Sequence, residues 1–274
     1  MPSHDHPAID QYAVIGNPIA HSKSPFLHTA FAAQCQQVLH YRAILAPVDQ
    51  FATTLKQFIS QGGRGANITL PFKLDAFQAC TELTARARAA GAVNTLQFDG
   101  DTIKGDNTDG FGLVRDITDN AGVTLRNRRI LLLGAGGAAR GALLPLMECH
   151  PSELVIANRT EEKAQQLASD FGKSGNISYN SFADLQGPFD IIINATSSSI
   201  NQQRPPVPAS VYQPTSLAYD MMYGEHPTPF LQHAATQHAQ TRNGWGMLVE
   251  QAAEAFYIWR GVRPDTSRFL QPAD

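Results

Sequence analysis

Short apolar runs alternate with amphipathic stretches along nearly the whole chain, a rhythm that predicts strands and helices in βαβ succession. Residues 11–16 read as a strand, 25–38 as a helix and 41–45 as a second strand. A helix over 51–59 and a strand over 65–69 follow. Two short strands come next, 92–96 and 102–104, joined through the turn residues Asp99 and Gly100.

Near residue 110 the pattern changes. The run Ile130-Leu131-Leu132-Leu133 is apolar without interruption, as a parallel strand covered on both faces requires. Leu154-Val155-Ile156 and Ile191-Ile192-Ile193 repeat it, and Leu217–Asp220 is a weaker fourth. Residues 201–214 contain four prolines and read as a surface loop. Helices are expected over 111–118 and over Trp245–Arg260. In the last one Met247, Leu248, Ala252, Ala255, Phe256 and Trp259 share a face, with Gln251 inside the stripe and Glu250 and Glu254 outside it. The expected architecture is α/β with two domains. Residues 1–110 and 245–274 form an N-terminal α/β substrate domain to which the last helix returns, and 111–244 form a doubly wound Rossmann domain.

Composition narrows the function classes. A net charge of -3, with no run of five like charges, argues against nucleic acid or an anionic membrane surface as the main partner. The three cysteines are widely spaced, so neither a disulfide framework nor a C-x-x-C metal site is expected. None of the nine histidines stands in a metal-ligand motif, and no metal is expected. The N-terminus lacks an apolar h-region and no stretch is long enough to span a bilayer, so the expected location is cytoplasmic.

The chemistry concentrates in a few places. Gly134-Ala135-Gly136-Gly137-Ala138-Ala139 follows the 130–133 strand directly and fits G-x-G-x-x-A. Gly134 makes the tight turn, Gly136 allows the backbone to approach a pyrophosphate, and Ala139 lets the next helix pack. That helix would aim its N–H groups at the phosphates. The following strand leads into Asn158-Arg159-Thr160, with Lys163 one turn on, where NAD-binding sheets carry an acid. A guanidinium there suits a 2′-phosphate, so NADP is favoured over NAD.

Three polar clusters stand out in the first domain. Ser22-Lys23-Ser24-Pro25 offers two hydroxyls near a helix start, with Ser24 reading as an N-cap and Pro25 as the first helical residue. In Asn67–Lys73 a proline opens a short helix and Lys73 falls in its first turn, where the helix dipole disfavours a cation. Gly105-Asp106-Asn107-Thr108-Asp109-Gly110 leads into another helix, whose cap an acid could provide.

With Ala90–Thr95, Asn194–Ser198, Tyr219–Tyr223 and Gly246–Ala252, these motifs resemble in order those of the bacterial biosynthetic shikimate dehydrogenases, from near the N-terminus to the last helix. The resemblance implies NADP-linked interconversion of 3-dehydroshikimate and shikimate, with Lys73 and Asp109 as the catalytic residues. It implies that Ser22 and Ser24 bind the substrate carboxylate with Tyr223 nearby, and that Thr69, Asn94, Asp109 and Gln251 hold ring hydroxyls. Gly134, Ala135, Gly136, Gly137, Ala138, Asn158, Arg159, Thr160, Lys163, Thr196, Met221 and Gly244 match cofactor contacts. Lys163 replaces a common arginine, and Ser199 stands where glycine is usual, which could disturb its loop because serine resists positive φ. A monomer or homodimer is expected. The alternatives are an NAD-linked quinate/shikimate dehydrogenase of dual specificity, a non-catalytic dinucleotide-binding regulator, and another dehydrogenase of the same nucleotide fold. The last leaves Ser22 and Ser24 unexplained.

Overall fold

The computed structural model describes residues 9–271. The N-terminal stretch that bears on a targeting signal, 1–8, lies outside them. The described residues form two compact units.

The first unit comprises the chain through Arg88 together with Ala92–Thr108 and Ala252–Asp265. It contains β1 (Asp10–Gly16), α1 (Ser24–Gln34), β2 (Leu39–Leu45), α2 (Phe51–Ser60), β3 (Gly63–Ile68), α3 (Lys73–Ala79), β4 (Glu82–Leu83), the first four residues of α4 (Ala85–Ala90), β5 (Thr95–Asp99) and β6 (Thr102–Asp106). The sheet order is β2-β1-β3-β5-β6-β4, with β1 parallel to β2 and β3, and β5 antiparallel to both its neighbours. Ala13, Ile15, Phe51, Phe58, Ile68, Phe72 and Leu96 fill its main core.

The second unit carries α5 (Asp109–Arg115), which runs on into a π turn over Asp116–Asn120. Then come β7 (Arg129–Leu133), α6 (Gly137–Glu148), β8 (Glu153–Ala157), α7 (Glu161–Phe171), β9 (Ile177–Asn180), β10 (Ile191–Asn194), β11 (Leu217–Asp220), α8 (Pro229–Thr236), β12 (Gln240–Asn243) and the start of α9 (Trp245–Arg260). Its sheet is wholly parallel in the order β12-β11-β10-β7-β8-β9, so strand order reverses between β7 and β10. Successive residues of the central strands enter two different cores. Leu132, Ile156 and Ile193 face one layer, and Leu131, Val155 and Ile192 face the other. Burial on both faces is why these strands read as unbroken apolar runs.

Several elements depart from expectation. Helix α1 stops at Gln34 rather than residue 38, because Gln36 takes a left-handed conformation (φ 53) that no helix continues through. Ala92 and Val93 are buried but not in a strand; β5 begins at Thr95. Strands β4, β9 and β12 carry no clear apolar signal, for each lies at an end of its sheet. The proline-rich stretch 201–214 is irregular, yet Val207, Val211 and Tyr212 are buried in the second unit's core, so it is more than a surface loop.

Helix α9 differs most from its expected stripe. Glu250 and Glu254, outside the apolar stripe, are nevertheless buried, at 1% and 6% exposed. Partners make that possible. Glu250 accepts from Asn120 and Thr266 and faces Arg115, while Glu254 is held by Arg86 and Arg263. The contact boundary falls within this helix, between Gln251 and Ala252.

Candidate functional site

In the first unit the start of α1 lies one residue earlier than expected. Lys23, not Ser24, occupies the cap position, and Pro25 is second in the helix. The hydroxyl of Ser22 accepts the Ser24 N–H at 3.3 Å, which leaves the Ser24 side chain to other work. Ser24 is buried and hydrogen-bonds the phenol of buried Tyr41, whose pKa burial pushes well above the usual tyrosine range.

From Tyr41 a hydrogen-bonded chain runs through the interior. Tyr41 Oη donates to Asn67 Oδ1 at 2.8 Å, and Asn67 Nδ2 donates to the Asn94 carbonyl at 3.3 Å and to Thr95 Oγ1 at 3.2 Å. Thr95 Oγ1 donates to Asn94 Oδ1 at 2.8 Å, as does the Thr108 N–H at 2.9 Å, while Asn94 Nδ2 donates to Thr108 Oγ1 at 3.0 Å. Ser24 and Asn94 are therefore ordered by one buried network, which orients the Asn94 amide.

Thr69 follows β3, its N–H on the Ile15 carbonyl at 3.0 Å. Helix α3 opens at Lys73 itself, two residues later than the proline start expected. Buried Phe72 holds that corner by stacking on Phe51 at 5.1 Å, and the Lys73 carbonyl accepts the Val93 N–H at 3.0 Å. Beside Asn94, Asp106 receives Arg86 through Nε and Nη2 at 2.7 and 2.8 Å and Thr84 at 2.6 Å.

In the second unit Asp109 is the first residue of α5, where an acid favours the helix dipole. One turn on, Gly112 lets α5 lie against α9. A Cβ there would sit 2.6 Å from the Met247 carbonyl oxygen and 2.7 Å from the Gln251 nitrogen. Gln251 is 8% exposed, its amide donating to the Leu248 carbonyl at 2.9 Å. Tyr223 packs edge-to-face on Trp245 with ring centroids 5.7 Å apart, and partial burial raises its phenol pKa.

The glycine turn fits a dinucleotide. Gly134 has φ +111, which only glycine takes readily, and its N–H donates to the Ala157 carbonyl at 2.8 Å. A Cβ on Gly136 or Gly137 would meet nothing within 4 Å, whereas Ala139 is fully buried. Open space before the first turn of α6 is what a pyrophosphate needs. Beyond β8, Asn158 braces its turn by donating to the Thr160 carbonyl at 2.8 Å. Arg159, Thr160 and Lys163 are exposed, and among the described residues neither cation is in an ion pair. Thr196 donates through N–H and Oγ1 to Asn194 Oδ1 at 3.1 and 2.7 Å. Gly244 is buried, and a Cβ on it would overlap the Met221 carbonyl oxygen, so close packing already requires glycine there.

Ser199 does not strain its loop. It lies in a short 3-10 turn, Ser198–Asn201, outside the left-handed region, and its hydroxyl donates to Asp220 at 2.8 Å. Two wholly buried acids escaped sequence reasoning. Asp116 takes Arg242 and Tyr219, and Asp220 closes β11. The available signal was a polar residue ending an apolar strand, as in Leu217–Asp220. No group of three or more metal-ligating side chains converges among the described residues, and no helix of theirs is long and apolar enough to cross a membrane.

The chain is similar to known proteins over nearly its whole length. Residues 14–96 match the model of the shikimate dehydrogenase substrate binding domain, 115–204 that of shikimate / quinate 5-dehydrogenase, and 244–271 that of the shikimate 5′-dehydrogenase C-terminal domain. A shikimate dehydrogenase (NADP(+)) of Herminiimonas arsenicoxydans is 58% identical over 258 residues, 94% of each chain. An Ael1 enzyme from Pseudomonas putida is similar in structure with a TM-score of 0.92 at 50% identity, covering 95% of this chain and 97% of its own. Shikimate 5-dehydrogenase from Thermus thermophilus, solved with NADP(H) and shikimate, gives a TM-score of 0.86 at 30% identity over 96% and 97% of the two chains.

Proposed function

The chain belongs to the shikimate dehydrogenase family, and from that membership we infer that it interconverts shikimate and 3-dehydroshikimate with NADP. What carries the reading is a shikimate dehydrogenase (NADP(+)) 58% identical over 94% of both chains, together with the residues that the site chemistry asks for. Bound NADP supplies the acceptor for the hydride that leaves the carbon bearing the reacting hydroxyl.

The chain's own residues do the rest. Ser22 and Ser24 take the substrate carboxylate with Tyr223, and Thr69, Asn94, Asp109 and Gln251 hold the ring hydroxyls. The buried network behind Ser24 and Asn94 supports this, because prepaid orientation lowers the cost of reaching the reactive geometry. Lys73 and Asp109 exchange the proton of the reacting hydroxyl oxygen as it becomes a carbonyl, and return it in the reverse direction. Gly134, Ala135, Gly136, Gly137 and Ala138 cradle the pyrophosphate. Asn158, Arg159, Thr160 and Lys163 take the adenosine side with its 2′-phosphate, and Thr196, Met221 and Gly244 border the nicotinamide. The enzyme acts in the cytoplasm as a monomer or homodimer.

Absorbance of NADPH, followed with shikimate and NADP, then with quinate and with NAD, tests the reading. Reduction with shikimate and NADP well above the other combinations is the expected result. Preference for quinate or NAD moves the protein to the dual-specificity alternative, and no reduction by folded protein overturns the reading. Lys73→Ala should lower kcat by roughly 100- to 10,000-fold with shikimate KM little changed. An unchanged kcat removes Lys73 from the proton transfer.

A further inference from the structure

The carboxylate of Asp220 is wholly buried at the C-terminal end of β11, and among the described residues it has no cation. Four donors hold it instead. Oδ2 accepts from Asn194 Nδ2 at 3.1 Å, Ser199 Oγ at 2.8 Å and Thr228 Oγ1 at 2.6 Å, and Oδ1 accepts the Met222 N–H at 3.0 Å. Such a carboxylate is expensive to bury and is kept only where its donors need it.

The donors share a location. Asn194 ends β10, Ser199 lies in the turn after it, and Met222 follows β11. The C-terminal ends of strands beside the reversal of an open parallel sheet are where ligands bind, and β10 adjoins β7 across that reversal. The loop after β10 leans on the glycine turn. A Cβ on Gly134 would lie 3.1 Å from the Ala195 carbonyl oxygen and 3.2 Å from Thr196 Cγ2. Thr196 therefore borders the same crevice as the open space before Gly136 and Gly137.

Asp220 decides how Thr196 is held. The carboxylate only accepts, so Asn194 must turn its NH2 toward it, where Ser199 Oγ also accepts at 3.3 Å. Oδ1 of Asn194 then faces away and takes the Thr196 N–H and hydroxyl. A flipped amide would set oxygen against oxygen. We propose that Asp220, together with Ser199, is a positioning residue for the nicotinamide end of the dinucleotide. It acts through Asn194 on Thr196, and through Met222 on the loop after β11. The inference rests on the NADP reading above.

Ser199→Ala and Asp220→Asn test it, with NADPH affinity measured by fluorescence titration and KM measured separately for NADP and shikimate. Ser199→Ala keeps the Asn194 and Thr228 bonds and should fold. Its Kd for NADPH should rise about fivefold, and that of Asp220→Asn, which sets a donor among donors, about tenfold or more. The KM for NADP should follow, with shikimate KM moving less in Ser199→Ala. A structural role alone would lower the melting temperature and leave the Kd of the folded variants at the wild-type value, which would overturn the proposal. Should Asp220→Asn not fold, Ser199→Ala decides. Failure of the wild-type protein to bind NADPH would instead strike the cofactor reading itself.

Discussion

At the scale of single residues the least expected is His28, an imidazole with no exposed surface. Its ring lies nearly parallel to that of Tyr41 at 4.2 Å, with Phe31 and Trp259 around it. Burial, only partly opposed by Asn67, lowers its pKa to about 3. The folded state therefore holds His28 neutral where the unfolded chain takes up a proton near pH 6.5, so stability falls as pH drops from about 6.5 toward 3. Between pH 7 and 5 the loss from this residue should come to about 2 kcal/mol. Urea unfolding at both pH values, compared between wild type and His28→Phe, checks it, since the variant should lose less by that amount. Equal losses would mean that the imidazole takes up its proton without unfolding. Side chains with a local signature were legible from sequence: the glycine turn, Arg159 where an acid was due, and the paired serines. His28, Asp116 and Asp220 were not, because what they do depends on partners distant in sequence, Trp259 for His28, Tyr219 for Asp116 and Asn194 for Asp220.

At the scale of elements the contact between α5 and α9 matters most, for it relates Asp109 to Gln251. Gly112 allows it, and Gly246 repeats the device, since a Cβ there would overlap the carboxylate of Asp116. Asp116 is itself fixed by Arg242 from β12 and Tyr219 from β11. Gly112→Ala should drive the helices apart, costing about 1–3 kcal/mol of stability and raising shikimate KM several-fold. Urea unfolding and steady-state kinetics read the two effects, and neither changing would show that the helix pair absorbs a methyl without cost. The central strands were legible because burial on both faces writes them as apolar runs. Strands β9 and β12 were not, since Ile177–Asn180 and Gln240–Asn243 close the two ends of their sheet and contain mostly polar residues. The burial of the two glutamates of α9 was not legible for a related reason. A glutamate looks exposed until the arginines that bury it, Arg86 and Arg263 for Glu254, are known.

At the scale of the whole molecule α9 belongs to neither unit alone. Val249 and Glu250 belong to the second, Ala253 and Phe256 to the first, and all four are buried, yet they are successive turns of one helix. Helix propagation is cooperative, so a half whose packing is lost weakens its neighbour. The two units should accordingly melt in a single transition, although the fold class alone would allow two. NADP provides the probe. The residues proposed to bind it lie in the second unit, and a ligand that binds only native protein stabilises it by about 2.7 kcal/mol at one hundred times its Kd. In a coupled molecule calorimetry should show one endotherm moving upward as a whole, by some 5–10 °C at that saturation. NAD at the same concentration should move it less, and Arg159→Ala should bring the NADP shift down to that of NAD. Two endotherms of which NADP moves only one would end the idea that α9 couples the units. Equal shifts by NAD and NADP in the wild type would deny Arg159 the 2′-phosphate and return weight to the dual-specificity alternative.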